Sequence, residues 1–248
     1  MENKRKQIQL FDRVADGKYE IYENLVCWRA IDKVIFSSWR EKIKPKVRVL
    51  DIGCGNGRST LKIADLDIKI EAFDISPKMV EKAIKRAEAK NITNVHFWIQ
   101  DEEEYQYEKE SFDYIIGYGV LHHLPNPENT FRNIAYALKP NGIYFGMENN
   151  VCIFRGIFNL LMRLLPLWHE EAGSTPVISQ KDLIKWCKKA GLNLKVKSVC
   201  FLPPHLCELL GYKVSLWLLK LTDVIFGKIP LLRSQGGINL IEAQKHSS

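Results

Sequence analysis

The chain alternates between two apolar spacings, and that alternation predicts an α/β protein. Short runs of strand length stand at Val49–Asp51, Ile70–Phe73, Val95–Ile99, Ser111–Gly117, Ile143–Met147, Leu192–Val199 and Gly237–Ala243. Between several of them the apolar residues take the helical spacing. Ser76-Pro77 combines a cap with proline at the first helical position and opens a helix to about Lys90. Thr130–Leu138 keeps a helical period and closes on Lys139-Pro-Asn-Gly142. Ser179 caps a helix from Gln180 to Ala190, which closes on Gly191. Strands alternating with helices predict a doubly wound sheet.

The first strand carries the most informative chemistry. It ends in Asp51 and runs into glycines at 53, 55 and 57, and twenty-three positions on the second strand ends in Asp74. Glycines let backbone approach a ligand and adopt positive φ without a Cβ clash. An acid at the next strand tip is placed to accept hydrogen bonds from ribose hydroxyls. The dinucleotide fingerprint would require its third glycine at position 58, which is Arg58 here. A nucleoside cradle is therefore expected, and a dehydrogenase is disfavoured.

Downstream motifs narrow this. Gln100-Asp101 ends the third strand, Tyr118-Gly-Val-Leu-His-His-Leu124 follows the fourth, and Leu138-Lys-Pro-Asn-Gly142 precedes the fifth. With Val49-Leu-Asp-Ile-Gly-Cys-Gly-Asn-Gly57, Phe73-Asp-Ile-Ser76 and Ser111-Phe-Asp-Tyr-Ile-Ile116, the region from about residue 47 to 148 resembles the class I S-adenosylmethionine-dependent methyltransferases. The likeness is to the branch acting on small molecules and lipids. It implies a seven-stranded sheet of order 3-2-1-4-5-7-6 with the last strand antiparallel, and S-adenosyl-L-methionine as cofactor, with S-adenosyl-L-homocysteine as product. By that resemblance Asp51 and the backbone of Gly53 and Gly55 hold the amino acid end of the cofactor. Asp74 accepts the ribose hydroxyls, Ile75 and Met79 pack near the adenine, Asp101 takes the adenine amino group beside the Glu102 backbone, and Tyr118 and Gly119 line the methionine side.

At 248 residues and 46% apolar the chain suits one globular domain with cap elements. Met1-Glu-Asn-Lys-Arg-Lys6 does not read as a signal peptide. The six cysteines include no C-x-x-C pair, so reduced structural thiols and a cytoplasmic setting are expected. His122 and His123 are adjacent, and His205 and Cys207 have no matching second pair, so no metal is expected. The net charge of +7 is spread over helical surfaces rather than gathered on one face with stacking aromatics. Nucleic acid is therefore disfavoured, and attraction to an anionic lipid or substrate stays open.

Three segments fall outside the core of residues 41–148: an N-terminal helical cap over 1–40, and insertions over 149–178 and 202–235. Both insertions leave the carboxyl edge of the sheet, where open α/β sheets bind ligands. Residues 153–168 are apolar apart from Arg155, Asn159 and Arg163, and 206–226 carry a narrow polar stripe through Glu208, Ser215 and Thr222. Neither is a membrane span: Pro166 stops the first, and charged or polar groups cross the second. The wide apolar arcs either pack on each other as a cap or meet a lipid acceptor or the membrane interface as a peripheral contact.

A hydroxyl or acidic-carbon acceptor would need a general base. His123 is the first candidate and Glu148 the second, with His122, His169 and Glu170 behind them and Tyr19 and Tyr22 placed to close over the cofactor. The leading function is a methyltransferase acting on a small lipophilic acceptor: a quinone, isoprenoid, lipid or lipid-linked sugar. An RNA methyltransferase and a non-catalytic cofactor-binding protein of the same fold are the alternatives. Oligomeric state is not legible.

Overall fold

The structure, a computed structural model, describes residues 2–15, 23–167 and 177–247. Tyr19, Tyr22, His169 and Glu170, four of the residues singled out above, lie outside them. Helices α1 (Glu2–Ala15) and α2 (Val26–Arg40) precede β1 (Arg48–Ile52). Then come α3 (Arg58–Ile63), β2 (Lys69–Asp74), α4 (Pro77–Glu88), β3 (Val95–Ile99), β4 (Phe112–Tyr118), α5 (Pro127–Ala137) and β5 (Leu138–Asn149). The chain continues through α6 (Arg155–Leu164), α7 (Gln180–Lys189), β6 (Leu192–Val199), α8 (Pro204–Leu210), α9 (Tyr212–Lys228) and β7 (Ile238–Lys245).

The seven strands form one sheet in the order β3-β2-β1-β4-β5-β7-β6, as expected. The pairs β2–β3, β1–β2, β1–β4 and β4–β5 are parallel, and β7 runs antiparallel to both β5 and β6. Both faces are covered, which is why β1 reads as a continuous apolar run. Val49 joins a core with Ala30, Ile35, Trp39 and Ile63, whereas Leu50 and Ile52 join Phe131, Ile134 and Leu183 on the opposite face.

The helix expected from Thr130 opens one turn earlier, where Asn126 caps it by accepting from Asn129 N at 3.1 Å and Pro127 follows. Strand β5 also begins early. Leu138 pairs with Phe112 before the register shifts to Tyr114 and Ile143, so Lys139–Gly142 forms a bulge inside the strand. Apolar Leu206–Phe226 is not one helix: Gly211, at φ +72°, breaks it into α8 and α9. Only glycine adopts that conformation without strain.

The N-terminal cap and the second insertion are fastened to each other by polar groups. Helix α2 has no side-chain cap of its own. Glu208 on α8 supplies one across space, accepting from Val26 N at 3.1 Å and Cys27 N at 2.8 Å. A carboxylate at a helix N-terminus satisfies orphan amides and complements the helix dipole. Among the described residues no helix is long and apolar enough to cross a membrane.

Candidate active site

Two cavities open at the carboxyl edge of the sheet. The smaller, of about 100 Å³, gathers nine of the ten residues expected at the cofactor: Gly53, Gly55, Asp74, Ile75, Met79, Asp101, Glu102, Tyr118 and Gly119. The tenth, Asp51, lies fully buried beneath the loop. Phe11 of α1 covers this cleft, and Asp12 beside it accepts from Ser76 Oγ at 2.6 Å.

Loop and acid are already joined. Asp74 Oδ2 accepts from Gly55 N at 2.8 Å and Oδ1 from Ser76 N at 2.9 Å, while burial holds its carboxyl above the ordinary range. Each oxygen keeps a further lone-pair site for a hydroxyl donor. Gly55 stands at φ +52° and faces open space, so backbone lies bare at the cleft. Gly53 is tighter: a Cβ there would meet Val120 Cγ2 at 2.3 Å. Asp101 caps the turn after β3 by accepting from Glu103 N at 3.0 Å. The Glu102 side chain turns away to Tyr107 and Thr130, which leaves only its backbone for the cleft.

Asp51 Oδ2 accepts from Ser59 Oγ at 2.7 Å and Thr60 Oγ1 at 2.6 Å. Its Oδ1 is buried with no hydrogen-bond partner among the described residues. Burial pushes this carboxyl up to about 7, against the pull of those two hydroxyls.

The larger cavity, of about 510 Å³, receives residues from all three extra segments. Trp28 and Ile31 come from α2, Phe154, Ile157, Phe158 and Leu161 from around α6, and Leu202, Pro203 and Phe226 from the second insertion. Tyr118 and Gly119 line both cavities, so the two meet there.

The residue that broke the dinucleotide fingerprint has a structural part in this wall. Arg58 is buried between the rings of Trp28 and Tyr118, 5.0 and 4.9 Å from their centroids. Its Nε and Nη2 donate to the two oxygens of Asp32 at 3.1 and 2.9 Å, and Tyr118 OH donates to Asp32 Oδ1 at 2.8 Å. Arg58→Met leaves Asp32 buried without its cation and is expected to cost about 3–5 kcal/mol of stability. Thermal melts check this, and Asp32→Leu in the same chain should recover much of the loss.

The expected bases separate. His123 lines the smaller cleft, edge-on to Phe11 with ring centroids 5.1 Å apart. His122 lines the larger cavity. Glu148 is fully buried behind it, with Oε2 2.7 Å from His122 Nδ1 and Oε1 accepting from Leu121 N at 2.7 Å. Glu148 thus orients an imidazole rather than facing the cavity itself. Sequence reasoning had both residues, but nothing in the spacing paired them across strands.

The family described as "Methyltransferase domain" matches residues 43–190. The chain belongs to that family. Among curated relatives of this methyltransferase-domain protein, phosphoethanolamine N-methyltransferase 2 of Caenorhabditis elegans is 35% identical over 100 residues, 40% of this chain and 23% of the relative. A ubiquinone biosynthesis O-methyltransferase of Coxiella burnetii is 28% identical over 155 residues, 59% of this chain and 63% of the relative. The chain therefore spans less than two thirds of either relative. Among solved structures, a phosphoethanolamine N-methyltransferase 2 of Haemonchus contortus, bound to phosphomonomethylethanolamine and S-adenosylhomocysteine, superposes with a TM-score of 0.66 at 18% identity. That match covers 96% of this chain and 60% of the other. The cyclase SpnF superposes at 0.63 with 22% identity, covering 89% and 83%. One fold thus carries proteins named for different reactions.

Proposed function

We propose that this chain is an S-adenosylmethionine-dependent methyltransferase that acts on a small lipophilic acceptor: a quinone, isoprenoid, lipid or lipid-linked sugar. The observation that carries the reading is the junction at Tyr118 and Gly119, where a glycine-loop cleft meets a largely apolar cavity of about 510 Å³. That volume lies in the range of small-molecule sites. The largely apolar lining favours a lipophilic acceptor: of its two arginines, Arg58 is paired with Asp32 and Arg155 lies over the ring of Phe158. Relatives named for ubiquinone biosynthesis and for 27-O-demethylrifamycin SV point the same way. Peripheral contact with a membrane through the two insertions is a corollary of such an acceptor.

The donor and acceptor groups along the cleft match those of the cofactor, and the cleft, at about 100 Å³, must open further to admit it. The buried Asp51 Oδ1 would take its amino group, the bare backbone at Gly55 with that of neighbouring Gly53 its amino acid end, and Asp74 its ribose hydroxyls. Ile75 and Met79 would pack near the adenine, with Asp101 and the Glu102 backbone at its amino edge. When bound, the cofactor supplies an activated methyl group for in-line displacement. The chain aligns the acceptor and excludes water, an effect of roughly 7–11 kcal/mol for well-oriented reactants. Glu148 holds His122 by Nδ1, so proton exchange with a hydroxyl or acidic-carbon acceptor falls to Nε2. His123, on the cofactor side, would close the cleft with Phe11.

Asp51 makes cofactor binding depend on pH. Its folded-state value is raised, so its contribution to folding is present below the ordinary carboxylate range and is lost as pH rises through about 7. A cationic amino group opposite it favours the carboxylate instead. Binding below pH 7 is therefore expected to release a proton, and affinity to fall towards ~tenfold per pH unit. Calorimetry in buffers of different ionisation heat measures that proton; binding with no proton release below pH 7 would remove Asp51 from the amino-group role.

The methyl transfer itself is tested by incubating the protein with methyl-labelled S-adenosylmethionine and cell extract, then separating organic, aqueous, nucleic-acid and protein fractions. Label in the organic phase is expected. Label in the nucleic-acid fraction would favour an RNA acceptor, and tight cofactor binding without transfer would favour a non-catalytic role.

A further inference from the structure

The second insertion is built inside out. Along α9 the buried positions include Ser215 and Asp223, and both have partners within the fold. Ser215 Oγ donates to Cys207 O at 2.9 Å, and Asp223 accepts from Cys200 N at 2.9 Å. With Glu208 tied to the start of α2, Glu208, Ser215 and Asp223 face the protein, while Thr222 of the stripe bonds to carbonyls of its own helix. The apolar residues face out: Val214, Trp217, Leu221, Val224 and Ile225 are exposed, Trp217 by 62%. Leu209 and Leu231, at either end of the insertion, are 83% and 86% exposed.

Helix α6 presents a matching face. Met162 is its one buried position, while Ile157, Leu160 and Leu164 stand in solvent together with Ile153 and Leu165 beside the helix. The two insertions are neighbours: Phe158 and Phe226 line the same cavity, and His205 Nε2 lies 2.7 Å from Leu165 O. Phe154 and Ile157 are exposed and also line that cavity, so the outer apolar face continues into its wall. Contiguous exposed apolar surface of this kind marks an interaction site.

Charge selects the partner. Residues 153–167 contain Arg155 and Arg163 and no acid. Residues 204–235 contain Lys213, Lys220, Lys228 and Arg233, and their two acids, Glu208 and Asp223, are the ones engaged with backbone amides of the fold. Among the described residues the outward charge on both insertions is therefore positive, carried by Arg163, Lys213, Lys220, Lys228 and Arg233, while Arg155 lines the cavity and Glu170 and Glu171 of the first insertion lie outside those residues. A second copy would bring like charges together. An anionic bilayer would meet cations at headgroup level and apolar side chains just below it, with Trp217 at the boundary.

We infer that the outward faces of α6 and α9 form a docking surface for an anionic lipid bilayer, which sets the wall of the acceptor cavity against the membrane. The purpose of that surface rests on the lipophilic-acceptor reading, but its test does not. The full chain is sedimented with vesicles of phosphatidylcholine alone and of phosphatidylcholine with phosphatidylglycerol, neither holding a methyl acceptor. Binding to the anionic vesicles is expected, weakening with salt. Trp217→Glu, and separately Lys213→Gln with Lys220→Gln, should each weaken partition by about tenfold or more. S-adenosylmethionine affinity, measured on the same variants, should stay unchanged and thereby report an intact fold. Absence of vesicle binding, binding unaffected by these variants, or a dimer in solution that Trp217→Glu dissociates would each overturn the inference. Label transfer into the organic phase reports the acceptor separately, so the two readings can fail independently.

Discussion

Asp74→Ala is expected to lower affinity for S-adenosylmethionine by ~10²–10⁴-fold, about 3–6 kcal/mol, because two hydrogen bonds from ribose hydroxyls to a charged acceptor disappear together. The loop suffers as well, since Gly55 N and Ser76 N lose the carboxylate that holds them. The fold should survive: burial already disfavours the charged carboxyl, so its removal relieves a cost in the empty chain. Asp74→Asn keeps the shape and one acceptor and should fall between the two. Titration calorimetry beside a thermal melt separates these effects, and unchanged affinity in the alanine variant would refute the assignment.

His122→Ala should lower kcat by ~10²–10⁴-fold for a hydroxyl or acidic-carbon acceptor, with cofactor affinity close to that of the parent. Glu148→Gln should give a smaller loss, because the amide keeps contact with Leu121 N yet no longer stabilises an imidazolium at His122. The positioning role of Glu148 is read from the pH profile of kcat, whose lower limb should shift in Glu148→Gln. A purely structural role would lower thermal stability without moving that limb. Equal turnover in His122→Ala would transfer the base to another residue or show that the acceptor needs none.

Much of the sheet is legible in the pattern. Strands β3 and β6 stand at the residues the apolar runs marked, since each run is bounded by turn-forming residues. The edge acids and glycines were equally readable, because a strand tip followed by positive-φ glycines leaves few arrangements. What escaped depends on contacts distant in sequence. Arg58 stood out only as a missing glycine; its partner Asp32 is 26 residues away on another helix. The His122–Glu148 pair forms because β4 and β5 lie side by side, which brings positions 26 apart into contact. The stripe on 206–226 was visible but not its direction. A polar stripe normally faces water, and here Glu208 and Ser215, with Asp223 beside the stripe, are drawn inward by backbone groups of α2, α8 and the end of β6.

Tyr118 is the shared wall of two chambers, and its ring stacks on Phe36 of α2 with centroids 5.5 Å apart. Its hydroxyl is tethered to Asp32, Asp32 to Arg58, and Arg58 opens the helix that leaves the glycine loop. Whatever fills one chamber therefore leans on the partition the other must use. Both chambers are thus walled by one ring whose place is set by this short polar linkage, so a change at Asp32 or Arg58 would be felt in both.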